Sequence, residues 1–327
     1  MKVITKQYLK RKINQLNKNK NVKLVAICDI NFKTKDRGSA KIPFYLKIEN
    51  AIFEHNPDVI VLSTPPISRF KDLEVCAKYK LPVLVEKPLA INFNEAKKLV
   101  KFMNDKRLLM MVGLNFRYLP STVEKIKLIN SNKVGKPNFA KFVYERWRDG
   151  RLKRLNKYPL KMEHPMLWEQ SIHHFDLIRY VYNSDIKTVF ATTSNPPWSM
   201  YKHDTNVNAI LELKNSIIIN YIGNWQSNSK ALNFEWRTEC DNGIIVQKKQ
   251  FEGLYYTSFK SAVEKKIKLK KTKMWFDDAN LLFNDFLRSI KKKRNIYEIN
   301  TDHLKSLAVV DACIKSSKTG KKIEIYS

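Results

Sequence analysis

The sequence predicts an α/β fold: a Rossmann-type doubly wound parallel sheet followed by an α/β domain with a large, mostly antiparallel sheet. Three observations predict it. Short apolar runs alternate with helical stretches through the first third of the chain. Those runs lack strict polar alternation, as expected of strands covered by helices on both faces. Beyond about residue 118, β-type runs succeed one another without helices between them, divided by turn residues such as Lys214-Asn215 and Asp241-Asn242-Gly243.

Taken in order, residues 6–18 read as a basic amphipathic helix and 22–28 (VKLVAIC) as a strand ended by Asp29. Residues 46–55 read as a helix, and 58–62 (DVIVL) as a strand running into Ser63-Thr64-Pro65-Pro66. Residues 68–79 are helical in pattern, 82–86 (PVLVE) is a strand closed by Lys87-Pro88, 94–106 is helical, and 109–114 is again a strand. These make one domain, 1–118. The second, 119–327, opens with a helix at 119–131, a strand at 138–146 and a helix at 165–183. Strands at 186–194, 205–213, 216–225, 232–240 and 243–249 follow, the lysine-rich 265–273 reads as a solvated edge or loop, and helices near 277–292 and 301–318 close the chain.

Composition narrows the class. With 327 residues and 43% hydrophobic content, the chain can bury two sizeable cores. No apolar run reaches membrane-spanning length, and the start has no signal-peptide pattern, so a cytoplasmic protein is expected. The four cysteines are far apart with no CxxC pair, which points to free thiols in a reducing compartment and away from structural zinc. The net charge of +30 invites a nucleic-acid partner. Against that, lysine far outnumbers arginine and is spread along the whole chain, so no specific nucleic-acid partner is expected.

Three segments carry chemistry. Asp29 ends the second expected strand, where an acid accepts hydrogen bonds from an adenosine ribose and repels a 2′-phosphate, favouring NAD over NADP. Glu86-Lys87-Pro88 follows a buried strand directly, which puts both charges at the carboxyl edge where open α/β sheets bind ligands. Lys87 there can hydrogen-bond a carbinol oxygen and stabilise developing negative charge. Glu169, His173 and Asp176 recur at helical spacing on one face. An imidazole titrating near neutrality suits removal of a hydroxyl proton, with Glu169 or Asp176 orienting the ring. No further cluster supplies ligands for an open metal site, so no metal is expected.

These segments resemble the Gfo/Idh/MocA family, the relatives of glucose–fructose oxidoreductase and inositol dehydrogenase. Glu86-Lys87-Pro88 matches its strand–Glu-Lys-Pro signature, and Glu169, His173 and Asp176 match its acid-x-x-x-His-x-x-Asp helix. Thr64-Pro65 resembles the family's "TP" turn, and Gly113 to Arg117 its G-x-x-x-R strand end. The resemblance implies NAD(P)-dependent hydride transfer at a carbinol of a sugar, cyclitol or related polyol. Lys87 and His173 are the implied catalytic pair, with Glu169 where many members have Asp. Asp29, Ser63, Thr64, Pro65, Arg69, Glu86, Lys87 and Asn115 are implied cofactor contacts, Arg69 standing where many members have His. Lys87, Asn115, Arg117, Trp168 and His173 are implied to face the substrate. A homodimer or homotetramer built through the carboxyl-terminal sheet is implied as well.

One departure stands out. Met1 to Thr5 align with the tail of the family's glycine turn, so the first strand and its G-x-G-x-x-G are expected to be missing. A misassigned start, a decayed gene, or a relative that binds sugar or nucleotide without catalysis would each account for it.

Overall fold

The computed structural model describes residues 1–6, 10–30, 42–153 and 155–325. The chain divides into two compact units, Met1–Tyr118 with Lys273–Leu304, and Leu119–Thr272 with Lys305–Ser327.

The first unit is a six-stranded, wholly parallel sheet. Its strands are β1 (Lys2–Lys6), β2 (Lys23–Cys28), β3 (Phe44–Tyr45), β4 (Val59–Leu62), β5 (Val83–Val85) and β6 (Met110–Val112), in the order β3-β2-β1-β4-β5-β6. Helices α1 (Lys10–Lys18), α2 (Ile48–His55), α3 (Arg69–Lys78) and α4 (Phe93–Asp105) connect them. Asn92 caps α4, its side-chain oxygen accepting the Glu95 N–H at 2.8 Å.

The expectation of a missing first strand is corrected here. Lys2–Lys6 fills the centre of the sheet, pairing with β2 on one side and β4 on the other. Val3 and Ile4 are fully buried. The strand escaped sequence reading because its apolar stretch is only two residues long between lysines, too short for any periodicity, and because the glycines that usually mark its end are not there. Residues 7–9 of the predicted first helix lie outside the described residues.

A second difference concerns the chain after the second sheet. Val3, Val59, Val61, Leu84 and Met111 share one core with Ile13 and Leu16 of α1 and with Leu282, Phe283, Phe286 and Leu287 of α7 (Asp277–Lys291). The apolar face of α7 therefore completes the parallel-sheet core, although its residues were placed in the second domain by sequence order. Helix α8 (Ile296–Thr319) begins in the first unit, where the Asn300 side chain accepts the Met110 N–H at 2.7 Å and donates to Leu108 O at 2.9 Å.

The second unit holds a nine-stranded sheet. Its strands are β7 (Pro137–Glu145), β8 (Ile186–Ser194), β9 (Asn206–Leu213), β10 (Ile218–Asn224), β11 (Asn233–Cys240), β12 (Gly243–Gln247), β13 (Leu254–Ser258), β14 (Lys265–Lys266) and β15 (Ile323–Glu324). Their order is β14-β13-β12-β11-β7-β10-β9-β8-β15, and β7 with β10 is the parallel pair in an otherwise antiparallel sheet. Helices α5 (Pro120–Asn130) and α6 (Ile172–Val181) belong to this unit. Phe142, Tyr144 and Tyr221 point from the sheet toward α6, where they meet the rings of His174 and Phe175. Phe139, Phe190 and Ile210 lie on the opposite face and are exposed.

Candidate active site

In the first unit, the expected residues gather at the carboxyl ends of the parallel strands. Asp29 follows β2 and is buried, with its N–H donating to Tyr45 O at 3.0 Å. Ser63 follows β4, and Thr64 Oγ1 donates to Asp72 at 2.7 Å. Glu86 and Lys87 follow β5, both half-buried, and the Lys87–Pro88 peptide is cis. Gly113, after β6, leaves room for the Glu86 carboxylate: a Cβ there would lie 3.3 Å from Glu86 Oε2.

Arg69 explains how these turns hold their shape. Its guanidinium is almost wholly buried and donates to Glu86 O, to Pro88 O at 3.2 Å and to Thr64 O at 2.6 Å. Three carbonyl acceptors converge on one planar fork, so Arg69 ties the turn after β4 to the turn after β5. It is part of the frame of the site. Asn115 and Arg117 turn their side chains toward carboxylates of this unit: the Asn115 amide donates to Asp278 of α7, and Arg117 pairs with Asp302 of α8 at 2.6 Å. Burial pushes the Asp278 carboxyl up from its usual range.

Two hydroxyls on this edge bear on cofactor fit. Thr5 Oγ1 at the end of β1 and Ser63 Oγ after β4 are buried without a hydrogen-bond partner. They belong to adjacent strands at the point where strand order reverses, the crevice in which open α/β sheets bind nucleotides. Buried hydroxyls without partners are costly, and a polar ligand there would satisfy them. Together with Asp29, they fit a dinucleotide. Gln7, Tyr8 and Leu9, between β1 and α1 in sequence, lie outside the described residues; none is glycine, and the first glycine of the chain is Gly38.

In the second unit the expected single helix over 165–183 is interrupted. Residues Leu167–Ser171 form a π-helical turn before α6, with Ile172 N–H donating five residues back to Leu167 O. A π turn shifts the phase of what precedes it, and such turns are frequent at functional sites. Trp168 and His173 are both buried, and Glu169 accepts a hydrogen bond from Tyr158. Asp176 is buried beside the Arg179 guanidinium at 3.7 Å and accepts from Ser306 Oγ at 3.4 Å.

Beneath this turn lies a network that sequence reading missed. Tyr221 O–H donates to Ser171 Oγ at 2.8 Å, and the same oxygen lies 2.8 Å from His174 Nδ1. His174 Nε2 lies 3.0 Å from the Gln170 amide nitrogen. A single tautomer satisfies all three contacts: His174 Nδ1–H donates to Tyr221 and Nε2 accepts from Gln170. Burial pushes the His174 imidazole down to about 3, so it is neutral near pH 7. A Cβ on Gly223 would lie 2.7 Å from both the Tyr221 hydroxyl and Met166 Cε, so this position leaves room for the network. The adjacent His173-His174 pair was the available signal, and only the first was assigned a role.

None of the four cysteines is in a disulfide; Cys240 is half-buried and the others are buried. Among the described residues, no group of three or more His, Cys, Asp or Glu is placed to hold a metal ion, and no helix is long and apolar enough to cross a membrane.

A parallel sheet in the order 3-2-1-4-5-6 with an acid after its second strand, joined to a unit with a large mixed sheet, is the arrangement of a two-domain protein with a Rossmann-type nucleotide-binding fold. Residues 6–114 match the model of the oxidoreductase family with an NAD-binding Rossmann fold, Gfo/Idh/MocA, and residues 124–246 match that family's carboxyl-terminal domain. The chain belongs to this family. It is 20% identical to an uncharacterised protein, y4oX, of Sinorhizobium fredii, over 93% of this chain and 88% of the other. An inositol 2-dehydrogenase of Mycolicibacterium smegmatis is 27% identical over 45% of this chain and 40% of its own. Among solved structures, an oxidoreductase of Agrobacterium radiobacter in complex with NAD+, L-tartaric acid and magnesium superposes with a TM-score of 0.84, at 18% identity over 99% of this chain and 98% of the other.

Proposed function

We propose that the protein is an NAD-dependent dehydrogenase acting on a carbinol of a sugar, cyclitol or related polyol. The observation that supports this most is the presence of both signature segments on the elements that give them purpose. Glu86-Lys87-Pro88 stands at the carboxyl end of β5 in the parallel sheet, and Glu169 and His173 flank the start of α6. The inositol dehydrogenases among its relatives support the substrate class.

The cofactor, when bound, supplies the hydride acceptor. Asp29 would hold the adenosine ribose, and Thr5, Ser63 and the Thr64-Pro65 turn would line the crevice. Arg69 keeps the Lys87 turn in place. Lys87 would hydrogen-bond the substrate oxygen and His173 would take its proton, with Glu169 setting the local geometry. Cysteines outside any disulfide fit a cytoplasmic location. The exposed Phe139, Phe190 and Ile210 on one sheet face fit assembly into a homodimer or homotetramer through that sheet.

The test is NADH formation across a panel of polyols, beginning with myo-inositol. Lys87→Ala and His173→Ala should each lower turnover by about 10²–10⁴-fold. Full activity in both variants defeats the assignment. Binding of polyol and NAD without any turnover would leave a binding protein in place of an enzyme.

A further inference from the structure

The end of the sheet nearest the start of α6 carries two arginines that the activity above does not use. Tyr144 meets His174 near the beginning of α6, whereas Tyr182, just past its end, bonds Thr238 and Trp236 on β11. Strand β11 pairs Thr238 with Ala140 and Trp236 with Phe142. The carboxyl end of β7 therefore lies at the same end as the π turn with Glu169. Arg146 and Arg148 continue beyond that end, on the side of Phe142 and Tyr144. Their backbone N–H groups are fixed by Asn224 O at 3.0 Å and Trp225 O at 2.9 Å.

Both side chains are half-buried. Arg146 has a long contact, 3.5 Å, to the Tyr144 hydroxyl, and the Arg148 guanidinium lies over the Trp225 ring at 4.4 Å. Among the described residues neither is paired with a carboxylate. The nearby acids are engaged elsewhere: Asp149 with Arg151 at 3.3 Å, Glu145 with Asn233 at 2.7 Å, and Glu169 with Tyr158. Burial pushes the hydroxyls of Tyr144 and Tyr201 up, and both arginines oppose that shift in each, which places two positive charges beside the same pair of tyrosines. The segment 146–161 holds seven basic residues and a single acid, Asp149, so it is strongly basic.

Partly desolvated guanidinium groups without a carboxylate are costly unless an anion completes them. Their planar forks suit a carboxylate or phosphate. We propose that Arg146 and Arg148 form an oxyanion subsite, so that the polyol substrate is an acidic sugar, a sugar carboxylate or a sugar phosphate. This rests on the polyol reading for its substrate, yet it concerns binding and can be measured without turnover.

The experiment is isothermal titration of the full chain with D-glucuronate, D-glucose 6-phosphate and myo-inositol, each with and without NADH. At least one anionic probe should bind about tenfold or more tighter than myo-inositol, a difference of about 1.4 kcal/mol. The stronger of the two anions tells carboxylate from phosphate. Arg146→Gln and Arg148→Gln should each weaken that anion at least about fivefold, with Arg146→Lys and Arg148→Lys intermediate. Thermal melts confirm folding, and the lysine variants remain available should a glutamine variant fail to fold. Lys141→Gln, on the opposite sheet face, should leave anion affinity unchanged. Equal affinity for neutral and anionic probes, no anion binding at all, unchanged affinity in the arginine variants, or an equal loss in Lys141→Gln would each overturn the subsite. A chain that binds the anion at these arginines but never forms NADH defeats only the dehydrogenase reading.

Discussion

Replacing Tyr221 by Phe removes one oxygen atom and two hydrogen bonds, both 2.8 Å long and both buried. His174 Nδ1–H loses its acceptor and Ser171 Oγ loses its donor, while the ring still fills its place against Phe142 and Phe175. Two buried groups left unsatisfied cost about 1–3 kcal/mol each, and Phe spares the desolvation of one hydroxyl, so the net loss should be about 2–4 kcal/mol. Urea unfolding of both proteins measures it. The same bonds hold Ser171 directly, and Gln170 through His174, in the π turn that carries Glu169 and leads into His173, so kcat should fall more than KM rises. A double-mutant cycle with His174→Leu should show coupling of about 1 kcal/mol or more, since the two side chains share one bond. A destabilisation below about 0.5 kcal/mol, or strictly additive variants, would show that the network is not held by the Tyr221 hydroxyl.

Three further outcomes follow from buried charge and from the residues after β1. His174 is held neutral down to about 3, whereas an unfolded histidine takes a proton near 6.5. The unfolded state therefore binds more protons in that window, and stability should fall as pH drops from about 6.5 toward about 3, by up to about 1.4 kcal/mol per unit; His174→Gln should flatten the profile. Lys125 is fully buried over the Trp236 ring, its Nζ 3.4 Å from the centroid and without a hydrogen-bond partner, and burial pushes its amine well below the usual lysine range. Lys125→Met should stabilise the protein by about 1–3 kcal/mol near neutral pH, and the gain should shrink as pH rises toward 10.5, where the unfolded lysine also loses its proton. A variant less stable than the parent at pH 7 would contradict this. Finally, NAD should bind weakly to the chain with Gln7-Tyr8-Leu9 after β1, and a glycine in place of Tyr8 should tighten it; calorimetry showing the reverse would mean that side chains are tolerated at that position.

The sequence by itself determined the alternation of elements, the position of nearly every long strand, and the three segments proposed to carry the chemistry. Each is a local property: apolar periodicity marks a strand or helix, and a charged pair after a buried strand marks the carboxyl edge of a sheet. The same locality set the limit. Strand β1 has only two apolar residues, Val3 and Ile4, between its lysines, and its identity as the central strand comes from pairing with Lys23–Cys28 and Val59–Leu62, which no local pattern encodes. Helix α7 reads as an ordinary amphipathic helix, but which sheet its apolar face covers is decided by packing between residues far apart in the chain. Arg69, Asn115 and Arg117 looked like ligand contacts by order along the chain, and only the fold showed which carbonyls and carboxylates their side chains reach. A hydrogen bond or an ion pair is fixed by distance in space, and that distance exists only once the chain has folded.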